Sequence, residues 1–247
     1  MNEACVNPSE DRVVWVTGAA GGIGAAVSTA YARAGATVIA TDLRQADSSS
    51  RILAMTCDVT SASDIERAIA ACDRLGGIDT LVNCAGILGR VDVLEITPEA
   101  WDQLFEVNVK GAFLCGQAAA RSMIAGGREG SIVNVGSINA EKVFPDTVAY
   151  CTSKGALHAM SRAMALSLAR HRIRVNNVAP GAIADTNLEP ARWALDSERR
   201  SMRARTPLHM LGTSSEVASA VMYLGSSNAK FITGATLFVD GGRAASV

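Results

Sequence analysis

Short apolar runs and segments of helical periodicity alternate along the chain from residue 13 onward. An apolar run of four to six residues that ends at a polar residue or a glycine is typical of a buried strand. Seven runs fit this description: residues 13–17, 37–41, 52–56, 79–82, 131–135, 173–178 and 236–239. Their aliphatic character favours a parallel sheet that is covered on both faces.

The segments between these runs predict the helices. The first helix opens within a glycine-rich turn at 18–24 and ends near Ala34, and the others cover residues 63–75, 97–125, 148–170 and 215–224. Thr97 and Pro98 are a typical helix start, and Gly111 predicts a bend in the helix that follows. Residues 182–207 are polar and contain several arginines, without a clear strand pattern.

This alternation runs the length of the chain without a linker or an internal repeat. It predicts a single doubly wound α/β domain over residues 1–247, with a seven-stranded parallel sheet, right-handed crossovers and helices on both faces.

Composition narrows the possible functions. The 247 residues carry a net charge of −1, which gives no electrostatic reason to expect nucleic acid or an anionic membrane as a partner. No apolar run approaches the length of a membrane span, and the polar N-terminus lacks the features of a secretion signal. Six cysteines without a C-x-x-C pair and three scattered histidines predict no metal site. We therefore expect a soluble, cytoplasmic protein with reduced cysteines.

A glycine-rich turn between the first strand and the first helix predicts a dinucleotide site. Gly18, Gly22, Ile23 and Gly24 occupy this turn, where glycines let a pyrophosphate approach the positive N-terminus of the helix. Asp42 follows 18 residues after Gly24, beside Leu43 and at the end of the second strand. A carboxylate at this position binds ribose hydroxyls and repels a 2′-phosphate, so NAD is favoured over NADP, although the nearby Arg44 could weaken that preference.

Tyr150 and Lys154 are the candidate catalytic pair. Their spacing places both side chains on one face of the predicted helix, one turn apart. A phenol has a pKa of about 10, and an adjacent ammonium group favours its phenolate form, which makes it a usable acid or base. Taken alone, the pair could equally have no catalytic role and be a tyrosine on a helix face with a solvent-exposed lysine nearby.

Taken together, these and further motifs resemble those of the short-chain dehydrogenase/reductases, over nearly the whole chain. The family's T-G-x-x-x-G-I-G corresponds to residues 17–24, and its tyrosine and lysine to Tyr150 and Lys154. The other matching residues are Asp58, Val59, Asn83, Ala85, Gly86, Asn108, Ser137, Pro180, Gly181, Ile183 and Thr186, and the tail at 232–242 is similar to the family's closing strand. Cys84 departs from the family's second asparagine in N-N-A-G, at a position that mainly packs the strand.

The resemblance implies a role for each matching residue. Tyr150 would exchange a proton with the substrate, Ser137 would bind the substrate oxygen, Lys154 would lower the Tyr150 pKa and bind the nicotinamide ribose, and Asn108 would hold a relay water. Asp58 and Val59 would contact the adenine, residues 83–86 would adjoin the cofactor, and residues 180–186 would hold the carboxamide. Residues 10–135 would then form mainly the cofactor half of a Rossmann-fold domain, and residues 136–247 the catalytic and substrate half.

We therefore expect an NAD-dependent oxidoreductase that acts on a small secondary alcohol or ketone, such as a sugar, a polyol or a cyclic diol. A 3-oxoacyl-thioester reductase and a non-catalytic cofactor-binding regulator are the alternatives. Asn139 and the rest of the segment 139–147, the region after Gly86 and the segment 187–207 should help to bind the substrate. An arginine of that segment could hold an anionic substrate, although a solvated helix face is the stronger interpretation of these charges. The resemblance also implies a homotetramer, in which the long helices at residues 108–125 and 148–170 form one interface.

Overall fold

Seven parallel strands form one sheet in the computed structural model, which describes residues 12–186, 188 and 194–246. The strands are β1 (Val13–Thr17), β2 (Thr37–Asp42), β3 (Ile52–Thr56), β4 (Thr80–Asn83), β5 (Gly130–Val135), β6 (Ile173–Pro180) and β7 (Thr236–Val239). Their order across the sheet is β3-β2-β1-β4-β5-β6-β7, so the chain reverses its direction of winding after β3. The predicted doubly wound α/β fold is confirmed.

Helices cover both faces of this sheet. They are α1 (Gly22–Arg33), α2 (Ala62–Arg74), α3 (Pro98–Phe105), α4 (Ala112–Ala125), α5 (Val148–Leu168), α6 (Asp196–Ala204) and α7 (Ser214–Gly225). Helices α1 and α7 pack on one face against an aliphatic cluster that includes Val16, Val82 and Val178. Helices α2, α4 and α5 cover the other face, where Trp15, Leu81 and Ile132 are buried. No helix in the described ranges is both long and apolar enough to cross a membrane.

The structure adds detail to the expected elements in two places. Helix α6 lies within the segment 182–207, for which the sequence showed no clear strand pattern and a solvated helix face was the stronger interpretation of the charges. Its apolar content is low, and its Met202 is the one buried side chain of the helix. The expected bend near Gly111 is a π-helical segment, Glu106–Gly111, between α3 and α4. A Cβ at Gly111 would lie 2.6 Å from Val59 Cγ2, so glycine allows this segment to pack on the loop after β3.

A row of polar side chains crosses the sheet just below the carboxyl ends of the strands. Asn83, Asn134, Asn177 and Thr236 are register partners on four adjacent strands. Asn83 Nδ2 donates to Asn134 Oδ1 at 2.8 Å, and Asn134 Nδ2 donates to the Ser161 hydroxyl of α5 at 2.8 Å. The same hydroxyl lies 2.8 Å from Asn177 Oδ1. A one-residue slip would place these amides on the opposite face, so the network specifies the register.

His158 packs beneath the loop that follows β5. Its imidazole Nε2 occupies the space that a Cβ at Gly136 would need, and Nε2 has no hydrogen-bond partner among the described residues. Burial lowers the His158 pKa to about 4, and the nearby charges of Lys154 and Arg162 act in the same direction. A neutral imidazole therefore supports the backbone immediately before Ser137.

This burial predicts an acid-dependent loss of stability. The unfolded chain binds a proton at His158 below about pH 6.5 while the folded protein resists protonation until about pH 4, so stability falls as the pH decreases between these values. Between pH 7 and pH 5 the contribution is about 2 kcal/mol. His158→Gln should lower this dependence by that amount in urea unfolding at the two pH values.

The matched control is His171→Gln, because His171 lies just beyond the end of α5 and at the surface. It should retain the wild-type dependence on pH. Equal losses of stability in wild type and His158→Gln would refute the assignment.

Candidate active site

A cleft of about 490 Å³ opens at the carboxyl ends of the strands. Loops after β1, β2, β3, β4, β5 and β6 line it, together with α5 and the segment after β7. This position, where the direction of winding reverses, is where open α/β sheets bind their ligands.

The glycine-rich turn forms one wall of the cleft. Gly18 has a φ of +66°, and a Cβ on it would lie 2.6 Å from the Ala85 amide nitrogen of the loop after β4. A Cβ on Gly22 would overlap the Asp185 carbonyl oxygen of the loop after β6. Any larger residue would separate these loops, so the glycines allow three loops to meet at the N-terminus of α1.

Asp42 lies at the end of β2 with its carboxylate at the edge of the cleft. Its Oδ2 accepts a hydrogen bond from the Ala20 amide at 3.0 Å, and its Oδ1 accepts one from the Arg44 amide at 3.0 Å. The Arg44 guanidinium is largely exposed and lies 3.9 Å from Oδ1. Asp42 therefore stays fixed beside the glycine turn, with Arg44 at the rim.

Asp58 and Val59 line the same end of the cleft, together with Leu43. Asp58 Oδ1 accepts hydrogen bonds from the Thr60 amide at 2.8 Å and the Thr60 hydroxyl at 2.7 Å. These bonds hold the turn after β3 and orient the Asp58 carboxyl group.

Asn83, expected beside the cofactor, and Asn108, expected to hold a relay water, lie just behind the described lining of the cleft. Asn83 is buried in the polar row and donates to Asn134 Oδ1 and to Ala112 O. Its side chain points to the face of the sheet that α4 and α5 cover. Asn83 therefore supports the strand beneath the cleft.

The π-helical segment directs the Asn108 side chain into the loop after β4. Its amide oxygen accepts from the Ile87 amide at 2.8 Å, while its amide nitrogen donates to Ile87 O at 2.9 Å and to Ser153 Oγ at 3.0 Å. A Cβ at Gly86 would lie 3.2 Å from Asn108 Oδ1 and 3.5 Å from Lys154 Nζ. The amide therefore holds the Gly86–Ile87 backbone above Lys154, and its polar atoms are already bound to protein.

Lys154 is buried with its ammonium nitrogen at the floor of the cleft. Its Nζ donates to Val135 O at 2.9 Å and lies 5.7 Å from the centre of the Tyr150 ring. Burial lowers the Lys154 pKa to about 8. The spacing of four residues on α5 thus places the ammonium group beside the phenol, as expected.

Ser137 and Tyr150 line the cleft on either side of a short loop. Ser137 begins a 3₁₀ turn at Ile138–Ala140, and its hydroxyl accepts a hydrogen bond from the Asn139 amide at 3.1 Å. Tyr150 packs its ring against Leu104 and Ala149. The structure brings Ser137, Asn139, Tyr150 and Lys154 to one end of the cleft.

The loop after β6 closes the opposite wall. Pro180, Gly181, Ile183 and Thr186 all line the cleft. Asp185 Oδ1 accepts from the Ser214 amide at 2.8 Å and the Ser214 hydroxyl at 3.0 Å, which ties this loop to the first turn of α7. Asn187, Glu189 and Arg192, from the expected substrate segment, lie outside the described residues.

The regions expected to bind the substrate supply further lining residues. Ile87, Leu88 and Arg90 follow Gly86, Phe144 lies in the segment 139–147, and Leu188 and Met202 lie in the segment 187–207. The sequence analysis did not single out these individual residues, and it missed Arg243, which follows β7, because their positions depend on the tertiary packing of separate loops. Cys84 also lines the cleft, where burial raises the pKa of its thiol to about 12.

These features fit a nicotinamide dinucleotide. Gly18 and Gly22 leave open a space that a Cβ would fill. This space suits a pyrophosphate at the N-terminus of α1. A fixed carboxylate at Asp42 suits the hydroxyls of a ribose, and the loop after β6 lines the same cleft as Tyr150 and Lys154.

Comparison with known proteins supports the same conclusion. A family model described as enoyl-(acyl carrier protein) reductase matches residues 18–244. A 2-(S)-hydroxypropyl-CoM dehydrogenase from Xanthobacter autotrophicus is 37% identical, over 97% of this chain and 99% of that protein. A sorbitol dehydrogenase from Cereibacter sphaeroides is 33% identical, over 95% of this chain and 98% of that protein.

A solved structure of an aldohexose dehydrogenase from Thermoplasma acidophilum matches with a TM-score of 0.89 and 32% identity, over 96% of each chain. These relatives are similar over nearly their full length, and all are named as dehydrogenases. The chain therefore belongs to the short-chain dehydrogenase/reductase family and is an oxidoreductase of CH–OH groups that works with a nicotinamide cofactor.

Proposed function

We propose that the protein oxidises a secondary alcohol to a ketone with NAD, and that Tyr150 accepts the proton of the hydroxyl group. The position of Lys154 carries this proposal. Its ammonium nitrogen is fixed by Val135 O and lies 5.7 Å from the Tyr150 ring, in the cleft onto which the glycine turn opens. The reverse reaction uses the same groups, with the proton passing from Tyr150 to the carbonyl oxygen.

Ser137 orients the substrate oxygen in this proposal. Because its hydroxyl oxygen already accepts a hydrogen bond from the Asn139 amide, its own proton is free to point into the cleft. The Ser137 hydroxyl donates to the substrate oxygen and holds it near the phenol of Tyr150.

Lys154 makes the phenol a better proton acceptor. A pKa of about 8 leaves most of the lysine protonated at neutral pH, despite its burial. An ammonium group that has lost most of its water acts on the adjacent phenol through a low dielectric, which strengthens its preference for the phenolate. A bound nicotinamide cofactor supplies the acceptor for the hydride that leaves the carbinol carbon.

Asp42 supports NAD over NADP. Its carboxylate is held by two backbone amides at the end of β2, where it can accept from ribose hydroxyls and would repel a 2′-phosphate. Arg44 could counter this repulsion, because its guanidinium lies at the same rim.

The names of the relatives support a sugar, a polyol or another small secondary alcohol as substrate. The description of the matching family model favours instead a reductase of acyl thioesters, which is the alternative within enzymes. A cofactor-binding regulator without catalysis is the alternative of another class. Cofactor binding alone needs no proton-transfer group. The presence of Ser137, Tyr150 and Lys154 in one cleft therefore argues against the regulator.

The resemblance also supports a single-domain, cytoplasmic homotetramer. Phe113 and Ile124 on α4 and Leu166 on α5 are exposed apolar residues on the two helices expected to form an interface. Light scattering after gel filtration would measure the assembly.

Tyr150→Phe is the first test of the mechanism. It removes the hydroxyl group that exchanges the proton and leaves the ring, so we expect kcat to fall by about 10² to 10⁴-fold while NADH binding is retained. Turnover would be measured by the absorbance of reduced cofactor, with NAD or NADP and a panel of sugars, polyols, cyclic diols, hydroxy acids and 3-hydroxyacyl thioesters.

Tyr223→Phe is the matched control, because Tyr223 is partly exposed on α7 and does not line the cleft. It should retain full activity. Undiminished turnover by Tyr150→Phe would refute the proposed mechanism. Tight NADH binding by the wild type without turnover of any panel member would favour the regulator, and absence of NADH binding would refute the dehydrogenase.

Asp42→Asn tests the choice of cofactor. It removes the charge and keeps a side-chain acceptor for the backbone, so the ratio of kcat/KM for NAD to that for NADP should fall about tenfold or more. Asp47→Asn removes an equal charge from the same loop at an exposed position outside the cleft and should not alter the ratio. A wild-type enzyme that prefers NADP would contradict the assignment.

A further inference from the structure

Helix α6 buries little apolar surface. Met202 is its one buried side chain, at 3% exposure, whereas Arg203 beside it is exposed. Met202 also lines the cleft that contains Ser137 and Tyr150. A short helix with so little buried surface has low local stability, so its position depends strongly on what Met202 contacts.

The Arg243 side chain reaches Met202 from the turn after β7. Its Nη1 donates to Met202 Sδ at 3.3 Å, and the arginine is 9% exposed. The same guanidinium group lies over the Phe144 ring, with Cζ 5.2 Å from the ring centre. Arg243 therefore joins α6 to the segment 139–147, and both belong to the regions expected to bind the substrate.

Hydrogen bonds within the turn after β7 hold the backbone on both sides of Arg243. The Asp240 carboxylate accepts from the Gly242 amide at 2.9 Å and from the Ala244 amide at 2.6 Å. The Ser246 hydroxyl donates to Arg243 O at 2.9 Å. The Arg243 side chain thus projects from a fixed backbone.

The backbone of this turn also contacts α6 and the loop before α5. The Leu208 amide, just beyond α6, donates to Gly241 O at 3.2 Å. A Cβ on Gly241 would lie 2.6 Å from Thr206 Cγ2, so the close approach requires glycine. Lys142 Nζ donates to Ser246 O, which ties the turn to the loop before α5. The turn after β7 therefore lies between the two substrate-binding regions and touches both.

Contacts with the loop after β4 hold Phe144 in place. Arg90 Cζ lies 6.0 Å from the centre of its ring, and Arg90 Nη1 lies 2.8 Å from Asp146 Oδ2. The Val91 amide donates to Asp146 O at 2.8 Å. Phe144 is therefore a supported surface on which Arg243 stacks.

These contacts, together with the proposed function, assign a role to Arg243. We propose that Arg243 is a positioning residue that packs between Phe144 and Met202, and that it thereby docks α6 and sets the width of the substrate end of the cleft. A guanidinium group suits this role, because it can stack on an aromatic face and donate to Met202 Sδ at the same time. The inference rests on the proposed function, since this width matters to an alcohol bound beside Tyr150.

This role separates substrate binding from the chemical step. Lys154 is held by Val135 O, and Tyr150 packs against Leu104, so the proton-transfer groups are positioned without α6. Loss of the Arg243 contact leaves them in place, while α6 occupies its docked position for a smaller fraction of the time. The apparent affinity for the substrate then falls by that fraction, and the rate at saturation is retained.

Arg243→Gln tests this role. For the panel alcohol that the wild type oxidises fastest, we expect KM to rise about tenfold and kcat to change by less than about twofold. NADH binding should be unchanged. Amide hydrogen exchange in α6 of the NADH-bound protein should become about tenfold faster, which is a measurement that needs no substrate. Arg243→Lys should restore part of both effects, because an ammonium group also binds an aromatic face.

Phe144→Leu is a second test of the same contact. It keeps an apolar side chain in the cleft and removes the ring on which Arg243 stacks. Combined with Arg243→Gln, it should raise KM no further than the larger of the two single changes, since both remove one contact. If Arg243→Gln does not fold, the exchange of α6 in Phe144→Leu and Arg243→Lys still tests the contact.

Arg74→Gln is the matched control. Arg74 is exposed in the last turn of α2 and is not among the described lining residues of the cleft. This variant removes the same charge as Arg243→Gln. Its KM and its α6 exchange should remain at the wild-type values.

Four results would overturn the inference and leave the proposed function in place. They are an unchanged KM or unchanged α6 exchange in Arg243→Gln, a fall in kcat without a rise in KM, additive effects of the Arg243 and Phe144 changes, and an equal change in Arg74→Gln. A wild type that binds no NADH or oxidises no member of the panel would refute the proposed function, and this inference would fall with it.

Discussion

The register of the parallel sheet is the constraint on which the site depends. Asn83, Asn134 and Asn177 are partners on adjacent strands, and Ser161 joins the last two through its hydroxyl group. Buried amides must be paired, so a shifted strand would leave several of them without partners. Cys84, Val135 and Pro180 follow these amides by one to three residues and line the cleft. The network therefore aligns the cleft wall by satisfying polar groups one layer below it.

Above this layer, the end of the cleft beside Tyr150 contains groups that oppose stability. Lys154 is an ammonium group in a buried site, and its lowered pKa records the cost of removing it from water. His158, one turn further along α5, stays neutral and supports the backbone at Gly136. The surrounding backbone holds both, through Val135 O for the lysine and through close packing for the histidine. A desolvated ammonium group with a perturbed pKa in a cleft is a feature that clusters at functional sites.

The two ends of the cleft are built by different means. At the cofactor end the backbone makes the site, because glycines let three loops approach one helix N-terminus. At the substrate end side chains make it, and they come from the loop after β4, the segment before α5, helix α6 and the turn after β7. Loops of this kind can change their side chains without disturbing the sheet. A common scaffold can thus serve alcohols of different shape and charge.

The amino-acid sequence by itself determined the fold class and most of the candidate site. Apolar runs, glycine turns and helix starts act over a few residues, so strands, the cofactor cradle, Asp42 and the Tyr150–Lys154 pair could be predicted from local patterns. Only the tertiary structure decided that Asn83 belongs to a buried network, that Asn108 sits in a π-helical segment bound to Ile87, and that Arg90 and Arg243 meet at Phe144. The physical reason is that each of these depends on contacts between residues far apart in the chain, and such contacts leave no periodic signal in the sequence.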